Sequence, residues 1–187
     1  MAIIGKELPD FKVASYHKPE ITTVTKADLL GKWSIFVFYP ADFTFVCPTE
    51  LADVQDVYEE LKGLGAEVYA VSTDSEFVHK AWADATPTIG ALEYHMLSDK
   101  THELTHFFDV YQEESGMAYR GTFVVDPQGI VRTAEIHDMG IGRSAEELVR
   151  KVQAAKFVAE HGDKVCPARW KPGKETLTPS QELIGKI

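Results

Sequence analysis

The sequence predicts an α/β fold: a mixed central sheet flanked by helices, with an N-terminal hairpin in front and an extended C-terminal arm behind. Three observations predict it. Short apolar runs, bounded by polar or proline-containing turns, alternate with helical periodicities through the first two thirds of the chain. Two strand-like runs then flank Asp126-Pro127-Gln128-Gly129, a strong turn signal, and one long amphipathic stretch follows them. Beyond His161 the periodicity disappears, and Pro167, Pro172, Gly173, Pro179 and Gly185 accumulate instead.

Taken in order, Phe11–Ser15 and Ile21–Thr25 are the hairpin strands, linked by the polar segment Tyr16–Glu20, and Lys26–Lys32 is a turn-like lead into the next element. Ile35–Tyr39 is a short apolar run that closes on Pro40, as a buried strand does. Leu51, Val54, Tyr58, Leu61 and Leu64 then recur at helical spacing, and Gly65 stands where that helix should stop. Glu67–Val71 reads as a second buried strand, after which Asp74 or Ser75 can cap a helix over about Glu76–Asp84, broken by Thr86-Pro87-Thr88. Tyr94–Leu97 is another strand, followed by a short helix through Phe107 or Phe108. Thr122–Val125 and Ile130–Ile136 form a second hairpin. Ser144 caps a helix to about Glu160, with Glu146 and Glu147 in its first turn and Leu148, Val152, Ala155 and Val158 along its apolar stripe. This order is similar to the thioredoxin architecture, so residues 1–160 are expected to form one thioredoxin-like domain and residues 161–187 an arm.

A chain of 187 residues is long enough for a substantial core. Its 19 basic and 29 acidic residues give a net charge of −10, which disfavours a uniformly basic nucleic-acid surface and adhesion to an anionic membrane. No apolar run is long enough to span a bilayer, and the opening MAIIGKELPD lacks the apolar region of a signal peptide, so the expected location is cytoplasmic. The two cysteines, Cys47 and Cys166, lie far apart and form no C-x-x-C motif. In a reducing compartment a structural bridge between them would not persist, so any pairing is expected to be transient and catalytic. Two independent buried thiols fit the same spacing.

Cys47 directly precedes Pro48, and proline is well tolerated at the first helical position, so Cys47 falls at or near the helix N-cap. Unpaired backbone N–H groups and the positive end of the helix dipole surround a sulfur placed there, and that setting favours the thiolate. A lone cysteine is also a common buried core residue. The polar neighbours Asp42, Thr44, Thr49 and Glu50 argue against an apolar burial site.

The run Phe38-Tyr39-Pro40-Ala41-Asp42-Phe43-Thr44-Phe45-Val46-Cys47-Pro48-Thr49-Glu50 resembles the active-site signature of the peroxiredoxins, with Pro40, Thr44 and Cys47 in its P-x-x-x-T-x-x-C core. Val165-Cys166-Pro167-Ala168, followed by Trp170-Lys171, resembles the resolving-cysteine segment of the typical 2-Cys branch, and Arg120 matches that family's active-site arginine. The resemblance covers the whole chain. It implies a thiol peroxidase acting on hydrogen peroxide and organic hydroperoxides, in which Cys47 becomes a sulfenic acid and then a disulfide with Cys166 from a partner subunit. An external dithiol reductase, either a dedicated flavoprotein or thioredoxin, would restore both thiols. Neither a metal nor a bound organic cofactor is implied. The family also implies a homodimer, assembled as a pentamer of dimers, with contacts between dimers around Phe43–Phe45 and Glu76–Val78.

Chemistry explains the residue types. An ordinary thiol, with a pKa near 8.5, is about 3% ionised at pH 7, so full ionisation gains roughly thirtyfold, or about 2 kcal/mol. Enzymes lower barriers by about 8 kcal/mol or more, and a more acidic thiolate is also a weaker nucleophile. The larger effect should therefore be stabilisation of the oxygen that leaves as the O–O bond breaks. On this reading Arg120 supplies fixed donors, Thr44 holds the peroxide in line, and Pro40 shields the sulfenate from water. Glu50 and Arg143 are expected to support Arg120 by analogy with the family, while Trp82 and Phe45 are expected to pack.

Ile89-Gly90-Ala91-Leu92-Glu93 lacks the Gly-Gly-Leu-Gly insertion of overoxidation-prone eukaryotic members, and Leu183-Ile184-Gly185-Lys186-Ile187 lacks their Tyr-Phe end. Easier release of the arm and resistance to sulfinic acid are the expected consequences.

Two other function classes compete. The resemblance implies the first, a binding or chaperone role, since ring-forming members of the family are associated with holdase activity. His102-Glu103-Leu104-Thr105-His106 satisfies H-E-x-x-H, which would place two zinc-binding histidines on one helix face with Glu103 as base, although the third-ligand extension H-x-x-G-x-x-H is absent. The remaining histidines, His17, His79, His95, His137 and His161, show no ligand clustering, and nothing in their spacing supports a Cys-His hydrolase using Cys47.

Overall fold

The computed structural model describes residues 2–186. A seven-stranded mixed sheet in the order β2-β1-β5-β4-β3-β6-β7 carries the fold. Strands β1 (Lys12–His17) and β2 (Glu20–Thr25) pair antiparallel from Lys12↔Thr25 to His17↔Glu20. The hairpin turn is therefore only Lys18-Pro19, shorter than the polar link expected, because Tyr16 turns inward and buries its ring. A single helical turn, α1 (Lys26–Leu29), leads to β3 (Trp33–Phe38).

All six residues of β3 are buried, as expected for a central strand covered on both faces. It runs parallel to β4 (Ala66–Ser72) and antiparallel to β6 (Arg120–Val125). Alternation divides the core. Ile35, Val37 and Tyr39 face a cluster built from the helices that follow β3 and from the last helix. Phe36 and Phe38 face the opposite cluster, with Phe11, Tyr69, Phe108 and Phe123.

The single helix expected after β3 is broken into α2 (Cys47–Asp56) and α3 (Tyr58–Gly63) at Val57, whose φ of −105° and ψ of 4° leave the helical region. Leu51, Val54, Tyr58 and Leu61 stay buried through the break, so the apolar face continues although the axis does not. Gly65 ends the pair at φ 74°, a conformation costly for a residue with a Cβ. Helix α4 (Glu76–Ala85) is capped by Ser75, whose Oγ accepts from the N–H of Val78. The predicted break is a new start: Thr86 is extended ahead of Pro87, and α5 (Pro87–Gly90) begins there. Strand β5 (His95–Ser98) runs parallel to β4 and antiparallel to β1, α6 (Glu103–Phe107) follows, and β6 turns into β7 (Val131–His137).

The last helix, α7 (Ala145–Glu160), departs from expectation twice. Ser144 makes no side-chain cap; Asp53 Oδ2 accepts the first free N–H, that of Ala145, at 2.7 Å. The buried stripe is Ala145, Leu148, Val149 and Val152, whereas Val158 is 41% exposed because it points about a third of a turn away from that row. Nor does the arm extend away from the fold. Val165 and Leu177 exchange backbone hydrogen bonds at 2.8 and 3.1 Å, and Trp170 is buried with its ring 4.9 Å from that of Phe157 on α7. A short 3-10 turn at Gln181–Leu183 follows, and Ile187 lies outside the described residues. No helix among the described residues is long and apolar enough to cross a membrane.

His95 gives the fold a pH dependence. Its ring stacks on His17 at 4.1 Å and on Tyr69 at 5.6 Å and shares a 2.9 Å hydrogen bond with Ser15 Oγ. Burial, helped by the neighbouring charge of His17, pushes its pKa from 6.5 down to about 4. Between those two values the unfolded chain binds a proton that the folded chain refuses, so stability falls as pH falls. Urea unfolding at pH 7 and pH 5 should show a loss attributable to this ring of about 1 kcal/mol, after allowing for solvent screening, and His95→Phe should remove that part of the slope.

Candidate active site

The site forms where β3 hands the chain to α2. Tyr39 extends the strand by one bond to Val71 O at 3.0 Å, Pro40 is buried, and the loop turns through Phe43 at φ 56° before Cys47 opens the helix with Pro48 next. Asp42 anchors this loop. Its two carboxylate oxygens accept from Tyr39 Oη and His79 Nδ1, each at 2.7 Å, and its N–H donates to Asp74 Oδ2 at 2.9 Å. The other ring nitrogen of His79 faces Leu97 O at 3.2 Å. Both nitrogens thus face acceptors.

Cys47 has no exposed surface. The polar neighbours that argued against an apolar burial site do not hold it open, because two of them, Asp42 and Glu50, are themselves folded inward. The sulfur nevertheless has a charged partner. Arg120, the first residue of β6, donates from Nη1 to Cys47 Sγ at 3.5 Å and to Glu50 Oε2 at 2.7 Å, and from Nε to Met139 O at 2.7 Å. Among the described residues Nη2 donates to nothing, so its N–H groups are the ones available to a bound oxygen.

Glu50 stands one turn after Cys47 and is shared by two guanidiniums. Arg143 donates to it from Nε at 2.8 Å, from Nη2 at 3.0 Å and from its backbone N–H at 2.9 Å. The Arg143 Nη1 donates to Gly121 O and Thr122 Oγ1, tying the loop after β7 to β6. Burial would raise the Glu50 carboxyl, but the hydrogen bonds and charge of Arg143, with the charge of Arg120, outweigh it and hold the group below the usual carboxylate range. Burial likewise works against the Arg120 cation, and Cys47 and Glu50 more than offset it, lifting its pKa above the ordinary value. Two guanidiniums against one carboxylate leave one positive charge facing the sulfur.

Of the other site residues predicted, Thr44 is half-buried and donates its hydroxyl proton to Ala41 O at 2.7 Å, which leaves its oxygen free to accept. Pro40 and Thr44 therefore share one loop with Cys47, and Arg120 reaches it from across the sheet. Cys166 does not join them. Its sulfur lies 3.9 Å from Ala154 O on α7, where burial raises its thiol above the ordinary range and the charge of Arg150 works the other way. Both thiols are free. Trp82 packs as expected, but Phe45 is 93% exposed.

The H-E-x-x-H arrangement does not assemble. His102 sits at φ 61°, ahead of a five-residue α6, and the rings of His102 and His106, 6.3 Å apart, both lie tilted against Tyr111, at 4.7 and 4.4 Å. Among the described residues no three His, Cys, Asp or Glu side chains are grouped to hold a metal. The pairing of Asp42 with His79 escaped the sequence reading. Its signal was there: His79 lies at helical spacing with Trp82 and Ala83 on the buried face of α4, and a buried imidazole needs a partner.

Comparison with known proteins agrees with this geometry. The AhpC/TSA family model matches residues 4–134, and the model for the C-terminal domain of 1-Cys peroxiredoxin matches residues 154–187. Alkyl hydroperoxide reductase C of Amphibacillus xylanus is 53% identical over 188 residues, covering the whole of both chains. The protein of that name from Escherichia coli K12 is 52% identical over 187 residues, again covering both. Among solved structures, AhpC of Enterococcus faecalis superposes with a TM-score of 0.87 at 60% identity, covering 89% of this chain and 100% of that one. The reduced 2-Cys peroxiredoxin of Plasmodium vivax gives 0.91 at 31% identity, covering 97% and 96%.

Glu50→Gln should leave two buried guanidiniums without their shared anion. We expect a loss of about 3 kcal/mol in urea unfolding and a fall of at least about tenfold in the rate of reaction with peroxide. Arg143→Lys, which keeps the charge but loses the paired donors, should fold and show a smaller loss of both.

Proposed function

We infer the chemistry from one premise: the chain belongs to the AhpC/TSA family and is a peroxiredoxin, a thiol-dependent peroxidase. Cys47 is its peroxidatic residue. The thiolate attacks one oxygen of the hydroperoxide, the S–O bond forms as the O–O bond breaks, and the departing alkoxide or hydroxide takes up a proton. The observation that carries this reading is the 3.5 Å contact from Arg120 to Sγ, made while Nη2 remains unengaged. One guanidinium can then hold the sulfur with one nitrogen and the oxygens with another. Thr44, with its proton committed to Ala41 O, accepts from the peroxide O–H and orients it. Pro40, buried and without an N–H, keeps water from the sulfenate.

The sulfenic acid then condenses with Cys166 of the partner subunit, releasing water. Within one chain Cys166 rests against Ala154, while Cys47 is fully buried, so their union requires the first turn of α2 to open and the arm to leave α7. Phe43 and Phe45 on the active-site loop and Phe77 on α4 are 55, 93 and 66% exposed, an aromatic surface that supports assembly of dimers into a decamer. A cytoplasmic location and a disulfide reductase, either a dedicated flavoprotein or thioredoxin, complete the proposal.

The segment that carries an insertion in overoxidation-prone relatives is here the short α5, and the tail forms only a 3-10 turn, so neither adds a covering element to the Trp170 contact that docks the arm on α7. Stoichiometric peroxide should give a covalent dimer on a non-reducing gel that is absent in Cys47→Ser and in Cys166→Ser. The same samples after millimolar peroxide should show Cys47 mainly as disulfide by mass spectrometry. A monomeric disulfide, or ready accumulation of sulfinic Cys47, would contradict this reading.

A further inference from the structure

We propose that Met139 is a second peroxide-reactive site, and that its oxidation to the sulfoxide misplaces Arg120 and slows the peroxidase. Two observations meet at this residue. Its carbonyl accepts the Arg120 Nε at 2.7 Å, so the backbone of Met139 fixes the guanidinium that faces Cys47. Its thioether accepts from Gln112 Nε2 at 3.1 Å, which joins the loop after β7 to the loop before β6. Gln112 belongs to a tight turn closed by its N–H to Met117 O at 2.9 Å, and the chain passes directly from that turn into Arg120. Beyond the β6–β7 ladder, Met139 thus holds Arg120 by its carbonyl and bridges to the loop before β6 by its thioether.

The residue is placed to meet oxidant. Met139 is half-buried next to the arginine that draws peroxide in, whereas Met96 is 2% exposed in the core. A thioether needs no deprotonation. Its sulfur lone pair attacks a peroxide oxygen, an S–O bond forms, the O–O bond breaks, and the remaining oxygen leaves as water or alcohol with the peroxide proton. Sulfur is oxidised by two electrons and peroxide is reduced by two. The new oxygen is a bulky, strong acceptor in the place where the Gln112 amide now meets sulfur, so one of the two loops must shift and Arg120 shifts with it. Reduction by methionine sulfoxide reductases reverses the step, unlike sulfinic oxidation of Cys47.

The inference uses the peroxidase reading only for its readout; were that reading wrong, the untreated enzyme would consume no peroxide, whatever the state of Met139. Wild type and Met139→Leu are treated with millimolar hydrogen peroxide and re-reduced with dithiothreitol. Free thiols are then counted to exclude sulfinic acid, and sulfoxides are mapped by mass spectrometry. Each protein is compared with its own untreated rate. Wild type carrying Met139 sulfoxide should lose about tenfold in kcat/KM and regain it with methionine sulfoxide reductases A and B, while Met139→Leu keeps its starting value. An unchanged rate with Met139 fully oxidised, an equal loss in Met139→Leu, or oxidation of Met117 with Met139 left as thioether would each overturn the proposal.

Discussion

The site depends on one carboxylate shared by two guanidiniums in a place almost free of water. Side chains of Glu50, Arg120 and Arg143 are 4, 5 and 6% exposed, so each charge has left its hydration shell and must be repaid by its partners. Breaking such a pair typically costs about 3–5 kcal/mol, which is why it can fix geometry that surface ion pairs cannot. It joins three separate elements: α2 through Glu50, the first residue of β6 through Arg120, and the loop before α7 through Arg143. The sheet brings them together because β6 lies beside β3. What the cluster lacks is one negative charge, and the Cys47 sulfur stands where that charge belongs.

Placement of the sulfur follows from the same arrangement. Helix α2 begins at Cys47 and carries Glu50 one turn later, so the residue that holds the arginine and the residue the arginine serves rise from the same turn. Asp42 fixes the approach from the other side, through Tyr39, His79 and Asp74, and keeps the loop closed around a residue with no exposed surface. Such a closed state suits attack on a small peroxide and excludes water, but a second cysteine can reach the sulfur only if the first turn of α2 opens. On the mechanism proposed, that helical turn takes two conformations: folded for the peroxide and opened for the resolving thiol.

Much of this was legible in the sequence. β3 announced itself as an apolar run closed by Pro40, Pro48 set the helix start, and the Asp126–Gly129 turn set the second hairpin, because each is a local signal. Failures came where a distant residue decided the outcome. Asp53 caps α7 instead of Ser144, and no rule of spacing ties residues so far apart. Val158 looked like stripe, yet it points about a third of a turn away from the row that is buried. The break at Val57 has no helix-breaking residue to mark it. Phe45 carries a core residue's chemistry in an exposed loop, which a single chain does not explain. The arm looked free because it lacks periodicity, but one tryptophan is enough to dock it. At the site, family resemblance marked Arg120 and the local pattern marked Cys47; helical spacing could have marked His79 as buried, but only the fold, joining loop and helix, supplies its partner Asp42.

The central claim is that Arg120 acts chiefly on the oxygen that leaves, and less on the supply of thiolate. In a Cys166→Ser background, Arg120→Lys can be assayed by stopped flow against hydrogen peroxide and, separately, against iodoacetamide, which needs the thiolate but breaks no O–O bond. The account predicts that the peroxide rate constant falls by at least about a hundredfold while alkylation changes by no more than about the thirtyfold that full loss of ionisation allows. Equal falls in the two reactions would contradict it.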